Sequence, residues 1–150
     1  LAILASKSRD NSRTPMQWDN RTNAGFSQGE PWIPLCDNYT DINVENALGD
    51  NASVFYTYQR LIALRKSEPV LTWGDYQDLL PDSPYLWCYR REWQGQTLLV
   101  IANLSGECQV WQPESCRGSW QVLMHNYEEV SPQPTAMTLR PFEAIWWLQK

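Results

Sequence analysis

The residue types best suited to recognition chemistry crowd into one stretch, SRDNSRTPMQWD, from Ser8 to Asp19. Arg9, Asp10, Asn11, Arg13 and Asp19 put charged and polar groups beside a rigid Pro15 and a bulky Trp18. A merely solvated loop seldom needs those two stiffening residues next to so much charge, so the stretch is expected to be a loop held in one shape for a purpose. Three further carboxylates follow nearby, on Asp37, Asp41 and Glu45. A general acid and base must be held on opposed elements, and the surrounding sequence supplies none, so these three are expected to be solvated or to cap helices. The single histidine, His125, lies in MHNY and is expected to be a turn residue bonded to backbone. It has no neighbouring Cys or second His with which to bind zinc. No Gly-rich phosphate cradle occurs, and neither a metal nor a cofactor is expected.

The elements that must position the loop follow from periodicity. Leu1 to Lys7 has the pattern of a helix tail. From Ser8 to Asn43 the prolines and glycines break any period, and an irregular tract of that length within a compact domain is usually functional. A short helical turn is expected at Val44 to Leu48. Val54, Phe55, Tyr58, Leu61 and Ile62 then mark one face of a helix, with Asp50 as its N-cap, Arg65 and Lys66 at its C-terminal end and Pro69 forbidding continuation. Beyond Pro69, short β-rich runs separated by turn residues predict seven strands: Tyr76 to Leu80, Tyr85 to Trp93, Thr97 to Leu104, Gln109 to Trp111, Trp120 to Met124, Met137 to Leu139 and Ala144 to Leu148. Gly95 is expected at positive φ in a hairpin. Tyr89 to Glu92 is expected to face outward, and Trp146 and Trp147, adjacent on a strand, must face opposite sides. The domain boundary falls near Glu68 to Thr72, dividing residues 1–69 from residues 70–150.

Composition narrows the partners. The 150 residues carry a net charge of -5, with no basic cluster for nucleic acid and no basic amphipathic stretch for a membrane surface. No apolar run is long enough to span a bilayer; Leu1 to Ala5 is expected to be neither signal nor anchor, and a cytoplasmic location is expected. Cys36, Cys88, Cys108 and Cys116 are expected to be reduced, and the sequons at Asn20, Asn38, Asn51 and Asn103 to be coincidental. Nine tryptophans suit stacking on sugar rings, but most are expected in a β-sandwich core.

Several tracts carry a resemblance in the same order along the chain: SRDNSRTPMQWD, AGFSQGEPWI, INVENAL, SVFYTYQRLIALRK, HNYEE and MTLRPFEAIWWL. Together they resemble the C-terminal part of the α-glucosidase family within the alpha-amylase superfamily. YLWCYRREWQGQTLLVIANLS and FEAIWWLQK are most similar to its phosphotrehalose-cleaving members. The resemblance implies an α+β chain. Residues 1–69 would be the C-terminal end of a (β/α)8 catalytic barrel and residues 70–150 a small antiparallel β-sandwich domain, with the barrel strands upstream of Leu1. It implies retaining hydrolysis by two carboxylates roughly 5 Å apart, whose motifs this chain lacks.

By the same resemblance Arg9 binds the substrate, its planar fork holding a sugar hydroxyl and a carboxylate together as lysine's point charge does not. Asp10 and Arg13 are expected to brace the loop as an ion pair or through its backbone, and Trp18 to anchor it by packing. Asn11 suits either role and is grouped with the loop-structural residues. The implied partners are a small sugar, a disaccharide phosphate, and the N-terminal barrel segment. An oligo-1,6-glucosidase of the same family, or a non-catalytic carbohydrate-binding or structural β-sandwich, is the alternative.

Overall fold

A computed structural model of the chain describes residues 12–114 and 116–150. The expected helix tail at Leu1 to Lys7, and Arg9, Asp10 and Asn11, lie outside the described residues. The chain divides into two compact units, Leu1–Ala63 and Leu64–Lys150.

In the first unit the irregular tract contains a tight turn at Thr22–Gly25 and further hydrogen-bonded turns between Cys36 and Ile42, and leads to helix α1, Val44–Gly49. Helix α2, Val54–Ser67, follows. Asp50 does not cap α2. It is the C-cap residue of α1, and its Oδ1 accepts the Ala52 N–H at 2.9 Å in an Asx turn that links the two helices. Ser53 occupies the position before Val54, with its hydroxyl donating to the Ala47 carbonyl at 2.7 Å. The two residues between Asp50 and Ser53 form the turn, which moves the start of α2 away from the expected cap. The apolar face read from the periodicity exists but is open: Val54, Phe55, Tyr58 and Ile62 are exposed, and α2 buries no residue.

The second unit takes in the end of α2 from Leu64 and continues with the single-turn helix α3, Val70–Trp73. Seven strands then run Asp75–Asp78 (β1), Leu86–Trp93 (β2), Gln96–Asn103 (β3), Gln109–Trp111 (β4), Gln121–His125 (β5), Met137–Leu139 (β6) and Ala144–Gln149 (β7). All pairings are antiparallel. They form a five-stranded sheet in the order β1-β2-β3-β7-β5 and a separate β4-β6 ribbon. Gln94 and Gly95, both at positive φ, close the tight β2-β3 hairpin in the geometry that matches strand twist.

Strand β3 lies at the centre, and its alternation builds two cores. Leu99 and Ile101 point to one face, where Cys88, Ile145 and Trp147 meet Trp111 of β4 and Leu139 of β6. Trp111 and Trp147 stack there at 5.9 Å between ring centroids. Leu98 and Val100 point to the other face, against Val70 and Leu71 of α3 and Leu148. The sandwich is therefore asymmetric, with a ribbon on one face and a helical turn on the other. Trp146 and Trp147 do face opposite ways: Trp147 is fully buried in the first cluster, and Trp146 is partly buried against the second. Each fully buried large side chain contributes roughly 1.5–3 kcal/mol.

Tyr89 to Glu92 differs from the outward face expected of it. Arg91 lies half-buried, and its guanidinium donates to the carbonyls of Leu71 at 2.7 Å and Gly74 at 2.7 Å, the free C-terminal acceptors of α3. A cation at a helix C-terminus is favourable there. Gly74 permits the approach, since a Cβ at that position would meet the Val70 carbonyl oxygen at 2.5 Å and the Arg91 Cβ at 3.1 Å. All four cysteines are free thiols, and burial pushes Cys88 up to about 12. Asn103 is buried, and its amide donates to the carbonyls of Glu107 at 2.7 Å and Arg140 at 2.8 Å. Both amide hydrogens of that sequon are thus engaged inside the fold.

Candidate functional site

The described part of the opening loop is organised by hydrogen bonds. The first N–H groups of α1 have no partners within the helix, and the loop supplies them. The Gln17 carbonyl accepts from Val44 N–H at 3.0 Å, the Trp18 carbonyl from Glu45 N–H at 3.0 Å, and the Asn43 side chain from Asn46 N–H at 2.8 Å. Asn43 also donates to the Tyr39 carbonyl at 2.9 Å. Residues 17 and 18 are thereby pinned to the start of a helix 27 residues further along the chain.

Around that anchor the chain reverses sharply. The N–H groups of Trp18 and Asp19 both donate to the Ala24 carbonyl, at 2.9 and 3.2 Å. Asn23, Ala24 and Gly25 are consecutively left-handed, with φ of 56, 54 and 65 degrees. Three such residues in a row, one of them a buried alanine, hold backbone strain that only a well-braced turn sustains. The brace is Asp19. This buried carboxylate accepts the Arg21 backbone N–H at 2.9 Å and the Arg21 guanidinium Nε at 2.9 Å, with a second guanidinium contact through Nη2. Those hydrogen bonds hold the Asp19 carboxyl below its ordinary range and raise Arg21 above its own. Gly25 is needed here on two counts, its positive φ and a Cβ position that falls on the Asp19 carboxylate. The turn borders a groove of about 520 Å³ lined by Arg21, Phe26, Ser27 and Gln28.

Of the residues singled out in the sequence, Arg13 is exposed. Trp18 holds the loop through its backbone N–H and carbonyl, while its ring is half exposed. Arg9, Asp10 and Asn11 lie outside the described residues. Asp37, Asp41 and Glu45 are exposed; Glu45 sits in the first turn of α1, where a carboxylate is favourable. His125, at the end of β5, bonds through Nδ1 to the Tyr127 carbonyl at 2.5 Å. Among the described residues no group of three or more His, Cys, Asp or Glu side chains could hold a metal ion, and no helix is long and apolar enough to cross a membrane.

Sequence reasoning counted Asp19 among the charged groups of the stretch but gave it no role, and it passed over Arg21. Their signal was the run WDNRTNAGF: an aspartate can accept the backbone N–H two residues on in an Asx turn, which brings Arg21 beside it, and Asn23 and Gly25 admit left-handed backbone. The Arg140–Glu143 turn is a second ion pair of this kind. Buried Glu143 accepts from Arg140 at Nη2 (2.6 Å), Nε (3.1 Å) and the backbone N–H (2.8 Å), while Arg140 lies 4.0 Å over the Tyr127 ring.

Comparison with known proteins gives a consistent set of relatives. Residues 1–74 match the family described as alpha amylase, catalytic domain. The whole chain is 77% identical to trehalose-6-phosphate hydrolase of Escherichia coli K12, of which it covers 27%. It is 45% identical, again along its whole length, to oligo-1,6-glucosidase of Heyndrickxia coagulans, of which it covers 26%. Among solved structures, trehalose-6-phosphate hydrolase of Bacillus licheniformis superposes with a TM-score of 0.91 at 41% identity, over 98% of this chain and 27% of that one. The trehalulose synthase of Pseudomonas mesoacidophila MX-45 gives 0.88 at 32% identity, over 99% of this chain and 28% of its own. The chain thus spans about a quarter of the length of the relatives it matches.

Proposed function

We propose that this chain, whose residues 1–74 match the alpha-amylase catalytic-domain family, is the C-terminal portion of a retaining glycoside hydrolase of that family that splits trehalose 6-phosphate into glucose and glucose 6-phosphate. The observation that carries this reading is the 77% identity to a trehalose-6-phosphate hydrolase, sustained over all 150 residues. The oligo-1,6-glucosidases, at 42 to 45% over comparable lengths, are more distant.

On this reading residues 1–69 are the end of the catalytic barrel and residues 70–150 the β domain that follows it. The nucleophile and the acid/base lie on barrel strands outside this chain, and the enzyme works in the cytoplasm. The open apolar face of α2 supports the assignment, because a helix that closes a larger core presents such a face when described without that core.

The chain's own contribution to catalysis is then positional. Arg9 reaches the non-reducing glucose, and its guanidinium clamps a hydroxyl and a carboxylate at once. This closes one end of the site, so that a single glucose unit is released. The hydrogen bonds from residues 17 and 18 to α1 and the Asp19–Arg21 brace keep the loop that follows Arg9 in a single shape. Holding a binding group in place ahead of the reaction is where such a loop lowers the barrier.

The test is steady-state kinetics of the full-length enzyme with Arg9→Lys. A loss of more than about tenfold in kcat/KM on trehalose 6-phosphate, about 1.4 kcal/mol, with an unchanged melting temperature is expected. Normal kinetics would remove Arg9 from the site. Turnover of isomaltose in preference to trehalose 6-phosphate by the parent enzyme would favour the oligo-1,6-glucosidase reading.

A further inference from the structure

The β-rich unit contains a cavity of about 630 Å³, within the roughly 300–1,000 Å³ typical of small-molecule sites. Leu99, Trp111 and Trp120 line its apolar part. Trp120 is only partly buried, yet its Nε1 is enclosed and finds no acceptor among the described residues. What the ring exposes is therefore carbon, an apolar face. Among the described residues the ring is held by packing against the first core cluster.

The polar part of the lining mixes signs. The carboxylates of Asp78, Glu92 and Glu114 stand with the guanidiniums of Arg90 and Arg117. Arg90 is already engaged, with Glu92 at 3.2 Å and the Gln77 side-chain oxygen at 2.8 Å. A phosphate or an ammonium group would meet repelling charges along with attracting ones. Gln112 and Gln149 add neutral amides to the lining, the Gln149 amide donating to the Arg117 carbonyl at 3.0 Å.

A lining that combines indole carbon with amides, carboxylates and guanidiniums complements one class of ligand. A pyranose presents C–H groups on one face, and around its edge hydroxyls that donate and accept together. We propose that this cavity binds an uncharged sugar of one or two rings, with Trp120 under the sugar face and the polar part of the lining around its hydroxyls. The site goes beyond the hydrolytic function: it uses none of the residues of the opening loop, and it holds sugar without any part in bond cleavage.

The experiment is fluorine NMR of the full-length protein labelled with fluorotryptophan, titrated with maltose. The Trp120 resonance is assigned by its disappearance in Trp120→Phe, and it reports on this cavity whatever sugar binds elsewhere. A saturable shift of that resonance is expected, with Kd on the order of millimolar. In the Arg117→Ala, Gln112→Ala double variant, which changes two exposed side chains, the affinity is expected to fall about fivefold or more at an unchanged melting temperature. A Trp120 resonance that maltose leaves in place would overturn the proposal. So would a shift of the same affinity in the double variant.

Discussion

The two units of this chain are held by different forces. Leu64–Lys150 has apolar clusters on both faces of a five-stranded sheet. The described part of Leu1–Ala63 buries few apolar side chains, Ala24 and Ile33 among them, and is knitted by side-chain and backbone hydrogen bonds around Asp19, Gln17 and Asn43. Hydrophobic burial is nearly non-directional and large, whereas a hydrogen bond is directional and nets only about 0.5–1.5 kcal/mol. One unit is thus stabilised by what it excludes from water, and the other is shaped by where its donors and acceptors can meet. The second arrangement suits a segment whose task is to present a loop.

The largest predicted effect probes the contrast directly. Trp147→Ala removes a fully buried indole from the centre of one core and should cost about 3–5 kcal/mol in urea unfolding; a cost below 1 kcal/mol would mean that the clusters do not carry the unit. Glu143→Gln comes next. Burial pushes the Glu143 carboxyl up, but the hydrogen bonds from the Arg140 side chain and backbone outweigh it and leave the group below its ordinary 4.5. Its stabilisation is therefore present above that value and is lost as pH falls through the lowered one. The Gln variant should lose roughly 1–3 kcal/mol at neutral pH, and its stability should fall less steeply below about pH 4.5 than the parent's.

In the hydrogen-bonded unit, Gly25→Ala forces a Cβ onto the Asp19 carboxylate at a left-handed position. It should disturb the turn by about 1–2 kcal/mol, read by faster amide exchange at Trp18 and Asp19. The smallest effect sharpens the contrast further. Ile62→Ala on the open face of α2 should change the stability of this 150-residue chain by no more than about 0.5 kcal/mol. In the full-length protein, where the proposed barrel core would cover that face, the same substitution should cost about 2–5 kcal/mol. Equal small losses in both would remove the case for a covered face.

Much of the β-rich unit was legible from local pattern. Gln109–Trp111 and Met137–Leu139 fall where the β-rich runs placed them, and the other five strands differ from expectation by a residue or two at their ends. That precision comes from the turn residues, which fix where pairing can stop. Arg91 was misread because its neighbours Arg90 and Glu92 are charged. Strand alternation sends Arg91 to the opposite face from them, and only the arrival of α3 there gives the guanidinium its carbonyls. In the loop, charge density drew attention to Arg13, while the described brace is Asp19 with Arg21. An ion pair two residues apart depends on a backbone turn that composition does not encode.

The amino-acid sequence by itself determined the seven strands, the amphipathic face of α2 and the hairpin at Gly95, because side-chain periodicity and permitted φ are local properties. Tertiary structure alone decided that β7 pairs between β3 and β5, that Arg91 caps α3, and that the Gln17 and Trp18 carbonyls cap α1. Those contacts join residues far apart in the chain. Which of many possible partners a backbone carbonyl or a strand edge meets depends on the packing of everything between them.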